Sequence, residues 1–550
     1  MAFKPVKIPS KDIVFSRRKN CTYVYYTTKK IFNKEKGYSE NERACIGIVS
    51  DEKETMMIPN ENYVTYFGDF GISLEENDSQ FSRVLSFGAR LVVDKILEKL
   101  NVSSILNKVF KEKTDLIKSL ICYFIDDQNS TAQHYEKWAR RNAIFGNKID
   151  SQSTISRLYN NVLNEDSVME FTYMWNVEFQ KNSFSRDIIL SLDSTNFNTY
   201  SENINLAEYG KAKVDEGLKQ INLAYVIDNE TTMPLFYQTF LGSVTDQTQC
   251  KELINKSIEY GYKNPTLVMD RGFFNTENVN YLENADYKYI IMAKSRNKSL
   301  DALLEENRNK IRDNFNCYIE KFGCYGLKLK TKVIGEKEQF VYIYYNGELA
   351  ENKKKAFFRK MQKAKQTILD SKLDIEVLKK EYKNFFDINV DENNQKVVFL
   401  KENVFEKVHK NAGFSIIVSN VDSDLEFILT QYKKRDLVEK AFSTVKTTFD
   451  LNKFNVQDRL VLESKMFISF LALIVRSYFS YCMKEFLAEN GHHTVNTLFS
   501  ELSKMELAKF NKTYVSSYGL SKTQKIILSA LKITEKDVNQ CTKDINKNLN

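Results

Sequence analysis

Residues 186–294 constrain the fold more than any other stretch. Apolar β-type runs at 188–193, 222–227 and 233–241 follow one another, with a turn at Asp228-Asn229 before the third. A helical stretch over about 248–260 then leads to an apolar run at 266–270. A second helical stretch over about 276–284 leads to another run at 289–293. The order β-β-β-α-β-α-β predicts an antiparallel start to a sheet that is covered by helices. Two of the runs end in an acid, Asp193 and Asp270. If those strands are neighbours, the two carboxylates face each other and repel, which a divalent cation between them relieves. Mg²⁺ takes oxygen ligands and keeps waters for chemistry. Either acid alone is equally well a strand-end turn former.

The third acid comes from a different kind of segment. Residues 431–446 read as a helix. At 100° per residue Tyr432, Arg435, Glu439 and Lys446 fall within a stripe of about 60°. Leu437, Val438, Ala441 and Val445 spread over roughly 140° to 240°, on the other side. One face packs, and the other carries an acid with two cations and a phenol. An amphipathic surface helix with i,i+4 pairs such as Arg435 with Glu439 explains the same pattern, and on helix geometry alone both readings stay open.

The rest of the chain divides by pattern. Residues 1–75 alternate polar with β-branched or aromatic side chains and read as a small β-rich module. Residues 76–185 turn helical. Within them 150–159 is similar to the second helix of a helix-turn-helix, with Ile155 and Leu158 inward and Arg157 outward. Lys137, Arg140 and Arg141 lie just upstream, and an ordinary helical hairpin explains the segment equally well. Residues 186–294 form the first part of the core, and 295–422 break its rhythm and read as a mixed β/α insertion. That insertion contains a long basic helical stretch whose Lys353-Lys354-Lys355 is most simply a solvated face. Residues 423–485 supply the second part of the core, and 486–550 a C-terminal helical region. The fold class expected is α/β, with a ribonuclease-H-like core.

Composition excludes several functions. Eight Cys without CxxC spacing and only four His leave no zinc site to expect. Scattered Cys without an export signal at the N-terminus fit a reducing cytoplasm. The apolar run 466–475 is closed by Arg476 and is half the length of about 20 residues a membrane span needs, so it reads as a buried helix. Lys and Arg number 80 against 72 Asp and Glu, a net charge of +8 that allows a polyanionic partner without demanding one.

The spacing Tyr-x2-Arg-x3-Glu-x6-Lys at Tyr432, Arg435, Glu439 and Lys446 resembles the signature of transposases of the IS4 superfamily, and the surrounding text looks most like its IS1634-type branch. Further matches fall in order. Leu192-Asp193-Ser194-Thr195 resembles the first acidic motif. Tyr209-Gly210-Lys211-Ala212-Lys213, Gln220 and Met233-Pro234-Leu235 resemble the segment after it. Leu241-Gly242-Ser243 with Asp246 resembles a Gly-Asn-x-x-acid element in which Ser243 replaces the usual Asn. Val268-Met269-Asp270-Arg271-Gly272-Phe273 resembles the second acidic motif. The resemblance covers about 185–480. The family also carries a largely β insertion before its glutamate helix, as read here at 295–422.

The resemblance implies a DNA transposase that binds the terminal inverted repeats of an insertion sequence and cuts and pastes it. Asp193, Asp270 and Glu439 would hold two Mg²⁺ ions, with Mn²⁺ able to substitute. Tyr432, Arg435, Lys446, Arg271, Lys211, Lys213 and Arg157 would contact double-stranded DNA, both transposon ends and target. It further implies a homodimer in the DNA complex and no nucleotide cofactor or membrane. Two alternatives remain: a metal-dependent nuclease that never joins DNA, and a host-adopted DNA-binding protein without catalysis. The N-terminal module and the Lys-rich insertion could also serve dimer contacts.

Overall fold

The computed structural model describes residues 5–549 apart from 19–20, 34–37, 52–53, 68–83, 182–186, 211–214, 216, 295–296, 393–394, 452, 455 and 511–512. The chain forms two compact units, Met1–Arg83 and Val84–Asn550, where the sequence reading divides it into six segments. The smaller unit is a five-stranded antiparallel sheet closed by the helix Glu61–Phe67. Its core is Val24, Ile46 and Met57 from three neighbouring strands, with Tyr63 of the helix packed on them.

The larger unit is built around one large sheet; a smaller three-stranded sheet pairs Val84–Ser86 with Glu506–Phe510 and that strand with Thr513–Ser516, so the C-terminal region read as helical also contains a hairpin. The strands of the large sheet are β1 (Ile189–Thr199), β2 (Lys219–Asp228), β3 (Pro234–Leu241), β4 (Thr266–Met269), β5 (Lys288–Met292), β6 (Tyr318–Ile319), β7 (Cys324–Thr331), β8 (Gln339–Tyr345), β9 (Phe414–Ser419) and β10 (Lys453–Phe454). The order is β6-β7-β8-β9-β5-β4-β1-β2-β3, with β10 added alongside β1. Strands β1, β2 and β3 are antiparallel neighbours, whereas β4 runs parallel to both β1 and β5. Helices α1 (Asp246–Glu259) and α2 (Thr276–Asn284) make the crossovers on either side of β4. This is the β-β-β-α-β-α-β order read from the sequence.

The insertion departs from that reading. Strands β6 to β9 do not form a separate body, because they extend the central sheet beyond β5, with β9 pairing antiparallel to both β5 and β8. Only the segment between β8 and β9 stands out. It holds the long helix α3 (Gly347–Asp370), the helix Ile375–Tyr382 and the hairpin Phe386–Val390 with Lys396–Leu400. A satellite core of Met361, Ile368, Leu378, Phe386, Ile388 and Val398 holds these together.

Helices from 88 to 181 cover the β3 side of the sheet. Strand β3 is the sheet's edge there, and Glu165–Lys181 lies against it. Trp175 Nε1 donates to Pro234 O at 3.0 Å, and Asn176 Nδ2 donates to Leu235 O at 2.9 Å. Edge carbonyls are thereby satisfied and the edge is closed to further pairing. The apolar run near 470 lies in α6 (Arg459–Cys482), whose Phe467 to Val475 are all buried. It packs among the N-terminal helices, where Ser464 Oγ donates to Tyr159 O at 2.8 Å, and its Phe470 stacks near Tyr237 of β3. No described helix is long and apolar enough to cross a membrane.

The segment 150–159 forms the helix Gln152–Asn161, capped by Ser151, which accepts from Thr154 N. Ile155 and Leu158 are buried as expected. The preceding helix, Ala132–Ala139, is joined to it by a connection far longer than the turn of a helix-turn-helix. The segment packs on α6, where Tyr159 O and Leu163 O accept from Ser464 Oγ.

Candidate active site

The register of β1 and β4 places Met269 beside Leu192, so Asp193 and Asp270 stand next to each other at the following position on adjacent parallel strands. Both runs are apolar because they lie in the sheet's interior, with Leu190, Leu192, Leu267 and Met269 all buried. Asp270 comes where β4 ends and the short turn Arg271–Phe273 begins, whereas Asp193 lies within β1, which runs on to Thr199 rather than ending at the acid, because its pairing with β2 continues past it.

The signature segment is helical but not one straight helix. α4 (Leu425–Lys434) starts earlier than 431, the hydrogen-bond pattern tightens at Arg435, whose backbone stays helical, and α5 (Asp436–Ser443) continues from there. A π-helical turn, Thr444–Thr448, then carries Lys446. Val438, Ala441 and Val445 are buried as expected and Leu437 is half-buried. Asn229, in the turn after β2, fixes the approach of this segment. It is 1% exposed, and its Nδ2 donates to Gln431 O at 3.0 Å and Gln431 Oε1 at 2.8 Å, while Ser191 Oγ of β1 donates to its Oδ1 at 2.6 Å.

Arg435 is the hub. It is 7% exposed, donates from Nη1 to Asp193 Oδ2 at 2.6 Å and from Nη2 to Glu439 Oε1 at 2.7 Å. Burial works against its charge, but Asp193, with Tyr432, Asp270 and Glu439, outweighs that and holds the guanidinium above its ordinary value. Tyr432 donates its phenol to Asp270 Oδ1 at 3.2 Å, and burial above all pushes that phenol up, so it stays a neutral donor. Lys446 Nζ donates to Thr195 Oγ1 at 2.7 Å and lies 4.8 Å from the centre of the Phe197 ring. Asp193, Thr195 and Phe197 alternate along β1 and share one face, so Arg435 and Lys446 are laid along a single row.

A cleft of about 510 Å³ opens here. Its lining includes Asp270, Tyr432, Arg435 and Glu439 on one side, and Arg271, Lys294 and Lys353 among the remaining walls. Asp193 reaches it through Arg435. Lys294, just past the end of β5, donates to Gly272 O at 3.2 Å, while Lys353 comes from α3. Neither lysine stands out in the sequence as part of a site. Lys294 follows a buried strand by two residues, as Asp270 follows β4 by one, and that is the only signal it gives.

The remaining sequence candidates are placed elsewhere or not described. Arg157 is exposed, its Nε donating to Ser153 O, and it does not line the cleft. Lys211 and Lys213 lie outside the described residues. Asp246 is the first residue of α1. The Gly210 and Gly242 motifs are structural, since a Cβ on Gly242 would run into Gln220 O and Glu208 O, and Gln220 Nε2 donates to Gly242 O at 2.8 Å.

A model of the transposase DDE domain matches residues 184–475, more than half of the chain. The chain belongs to this transposase family. No curated protein matches it. Among solved structures it is similar to a piggyBac transposase synaptic complex with hairpin DNA, determined by cryo-electron microscopy, at 9% identity over 83% of this chain and 76% of that one. The TM-score is 0.33, and a likeness at that level bears on neither fold nor mechanism here.

Transposases of the DDE type use divalent metal ions, and the donor set of this transposase suits one. Asp193, Asp270 and Glu439 offer hard oxygen ligands. The space between Asp193 and Glu439 already attracts a cationic group, the Arg435 guanidinium. Among the described residues no three acidic, His or Cys side chains approach closely enough to share an ion. Asp193 and Glu439 are bridged by Arg435, and Asp270 stands beside Asp193.

Proposed function

We propose that this transposase cuts DNA at the ends of an insertion sequence and joins the freed ends to target DNA, with Asp193, Asp270 and Glu439 as its metal ligands. The observation that carries this is the adjacency of Asp193 and Asp270 on parallel strands, with Glu439 tied to Asp193 through Arg435. The strand order from β3 through β2, β1 and β4 to β5 supports a ribonuclease-H-like core, with one acid within the central strand β1 and one at the end of its neighbour β4.

Bound divalent ions at this site supply a water or hydroxyl oxygen made nucleophilic and neutralise charge on the leaving oxygen. The protein's own groups do the rest. Arg271, Lys294 and Lys353 face the cleft as cations and hold the backbone of the strand to be cut. Lys446, steadied by Thr195 and Phe197, holds the same strand further along β1. Tyr432 keeps Asp270 oriented through its phenol. Double-stranded DNA is therefore the partner, and Mg²⁺ or Mn²⁺ the ion. Pairing of two DNA ends in one complex would call for a homodimer.

Asp193→Ala, Asp270→Ala and Glu439→Ala are each expected to abolish Mg²⁺-dependent nicking of a duplex that carries the DNA flanking the coding sequence, while binding of that duplex persists. A triple variant that still nicks at the wild-type rate would end this reading. Joined products from the same duplex and a supercoiled target separate a transposase from a nuclease that only cuts.

A further inference from the structure

Arg435 occupies a place that the metal reading gives to an ion. Its two terminal nitrogens bridge Asp193 and Glu439 at 2.6 and 2.7 Å. Its Nε is buried without a hydrogen-bond partner among the described residues, so one of its donors is left unused in this arrangement. The guanidinium bridges the two acids, each of which it meets as an ion pair. A guanidinium and a divalent cation compete for the same pair of carboxylates, because like charges at contact distance repel.

The side chain has somewhere else to go. Its guanidinium carbon lies 5.6 Å from the centre of the Tyr432 ring, a surface over which it can turn. The cleft beside it is also faced by Arg271, Lys294 and Lys353. Those three cations make the cleft a place for a backbone phosphate, and a planar fork such as Arg435 binds a phosphate with two parallel hydrogen bonds.

We propose that Arg435 is an exchange switch: without metal it fills the cation position between Asp193 and Glu439, and when metal binds it moves to a DNA phosphate in the adjoining cleft. Metal and DNA then assist each other. The metal releases the guanidinium for the phosphate, and the phosphate removes the competitor for the acids. By linkage, each ligand raises the affinity of the other by the same factor. This rests on the reading of Asp193, Asp270 and Glu439 as metal ligands.

The test uses the full chain and two binding measurements, neither of which needs turnover. The first follows Mn²⁺ binding without DNA by electron paramagnetic resonance. The second follows the affinity for the flanking-DNA duplex with and without Ca²⁺. For the wild type, Ca²⁺ is expected to tighten DNA binding by about tenfold, within the usual range of coupling. For Arg435→Gln, Mn²⁺ is expected to bind more tightly than to the wild type, and the Ca²⁺ effect on DNA is expected to shrink toward unity. Arg435→Lys, which keeps the charge but cannot bridge both carboxylates, should move in the same direction and serves if the first variant folds poorly. Arg271→Gln should weaken DNA binding yet keep the Ca²⁺ effect. Mn²⁺ binding to Arg435→Gln that is equal to or weaker than wild type would overturn the switch and leave Arg435 as a prop for the ligands. Wild-type Mn²⁺ binding that survives Asp193→Asn would instead overturn the metal-ligand reading itself.

Discussion

Lys446 and Lys294 are both lysines at the site, but they are held differently. Lys446 is tied to a hydroxyl and an aromatic ring on β1, and Lys294 to a turn carbonyl beside Asp270. Each is an ammonium with three donors, able to bond more than one acceptor. Removing one phosphate contact should lower the salt slope of DNA binding by about one and weaken binding regardless of sequence. Lys446→Ala and Lys294→Gln are each expected to do this, measured as affinity against salt concentration for the flanking-DNA duplex. An unchanged slope for either removes that lysine from the phosphate contacts. Asp193, Asp270 and Glu439 were legible in the sequence because each sits at a marked place, the end of an apolar run or a helix stripe. Thr195 and Lys294 were less so, since what gives them a role is a partner far along the chain, Lys446 for the one and the turn after Asp270 for the other.

Asn229 works at the scale of elements. It joins the turn after β2 to the end of α4 and to β1 through three buried hydrogen bonds. Asn229→Ala leaves Ser191 and Gln431 without those partners, at a cost of about 1–3 kcal/mol. Urea denaturation should show that loss. Nicking should fall further than stability explains, because the helix that carries Arg435 and Glu439 loses its anchor. Asn229 reads in the sequence only as a turn residue, which it also is. The helix stripe was legible with its inward face, but the tightening at Arg435 and the π-turn at Lys446 were not. A regular 100° wheel has no place for either.

The C-terminal helix Glu535–Leu549 offers a pH-dependent element of the same kind. Asp537 accepts from the Thr534 hydroxyl at 2.6 Å and the Thr534 amide at 2.8 Å, and pairs with Lys95 at 3.1 Å. The Thr534 hydroxyl first, then its amide and Lys95, hold the Asp537 carboxyl down at about 2, from an ordinary 3.8. A depressed acid stabilises the fold above its unfolded value and loses that contribution as pH falls through the folded one. Hydrogen-exchange protection of this helix is therefore expected to fall between pH 3.8 and about 2. Asp537→Asn should remove the pH-dependent part of that change. A protection profile that is the same in both proteins would show that Asp537 does not hold the helix.

At the scale of the whole molecule, the sheet is longer than its rhythm in the sequence. The five strands from β1 to β5 were legible because hairpins and crossover helices separate apolar runs at regular intervals. Residues 340–345 and 414–418 also read as β-type runs, but their place in the extension through β9, β8, β7 and β6 was not legible, because β9 reaches β5 only after α3 and the small hairpin have intervened. Sequence distance hid a pairing that the sheet makes direct. The same long excursion brings Lys353 of α3 to the wall of the cleft, so a segment that reads as a solvated basic face borders the acids.

The central claim is that three acids from β1, the end of β4 and α5 hold divalent metal against DNA. Anomalous diffraction from crystals of the protein with the flanking-DNA duplex and Mn²⁺ tests it most directly. The account predicts Mn²⁺ bonded to carboxylate oxygens of Asp193, Asp270 and Glu439, with Arg435 withdrawn from Asp193 onto a backbone phosphate. Mn²⁺ bound away from Asp193 and Asp270, or Glu439 turned out of the cleft with DNA in place, would contradict it.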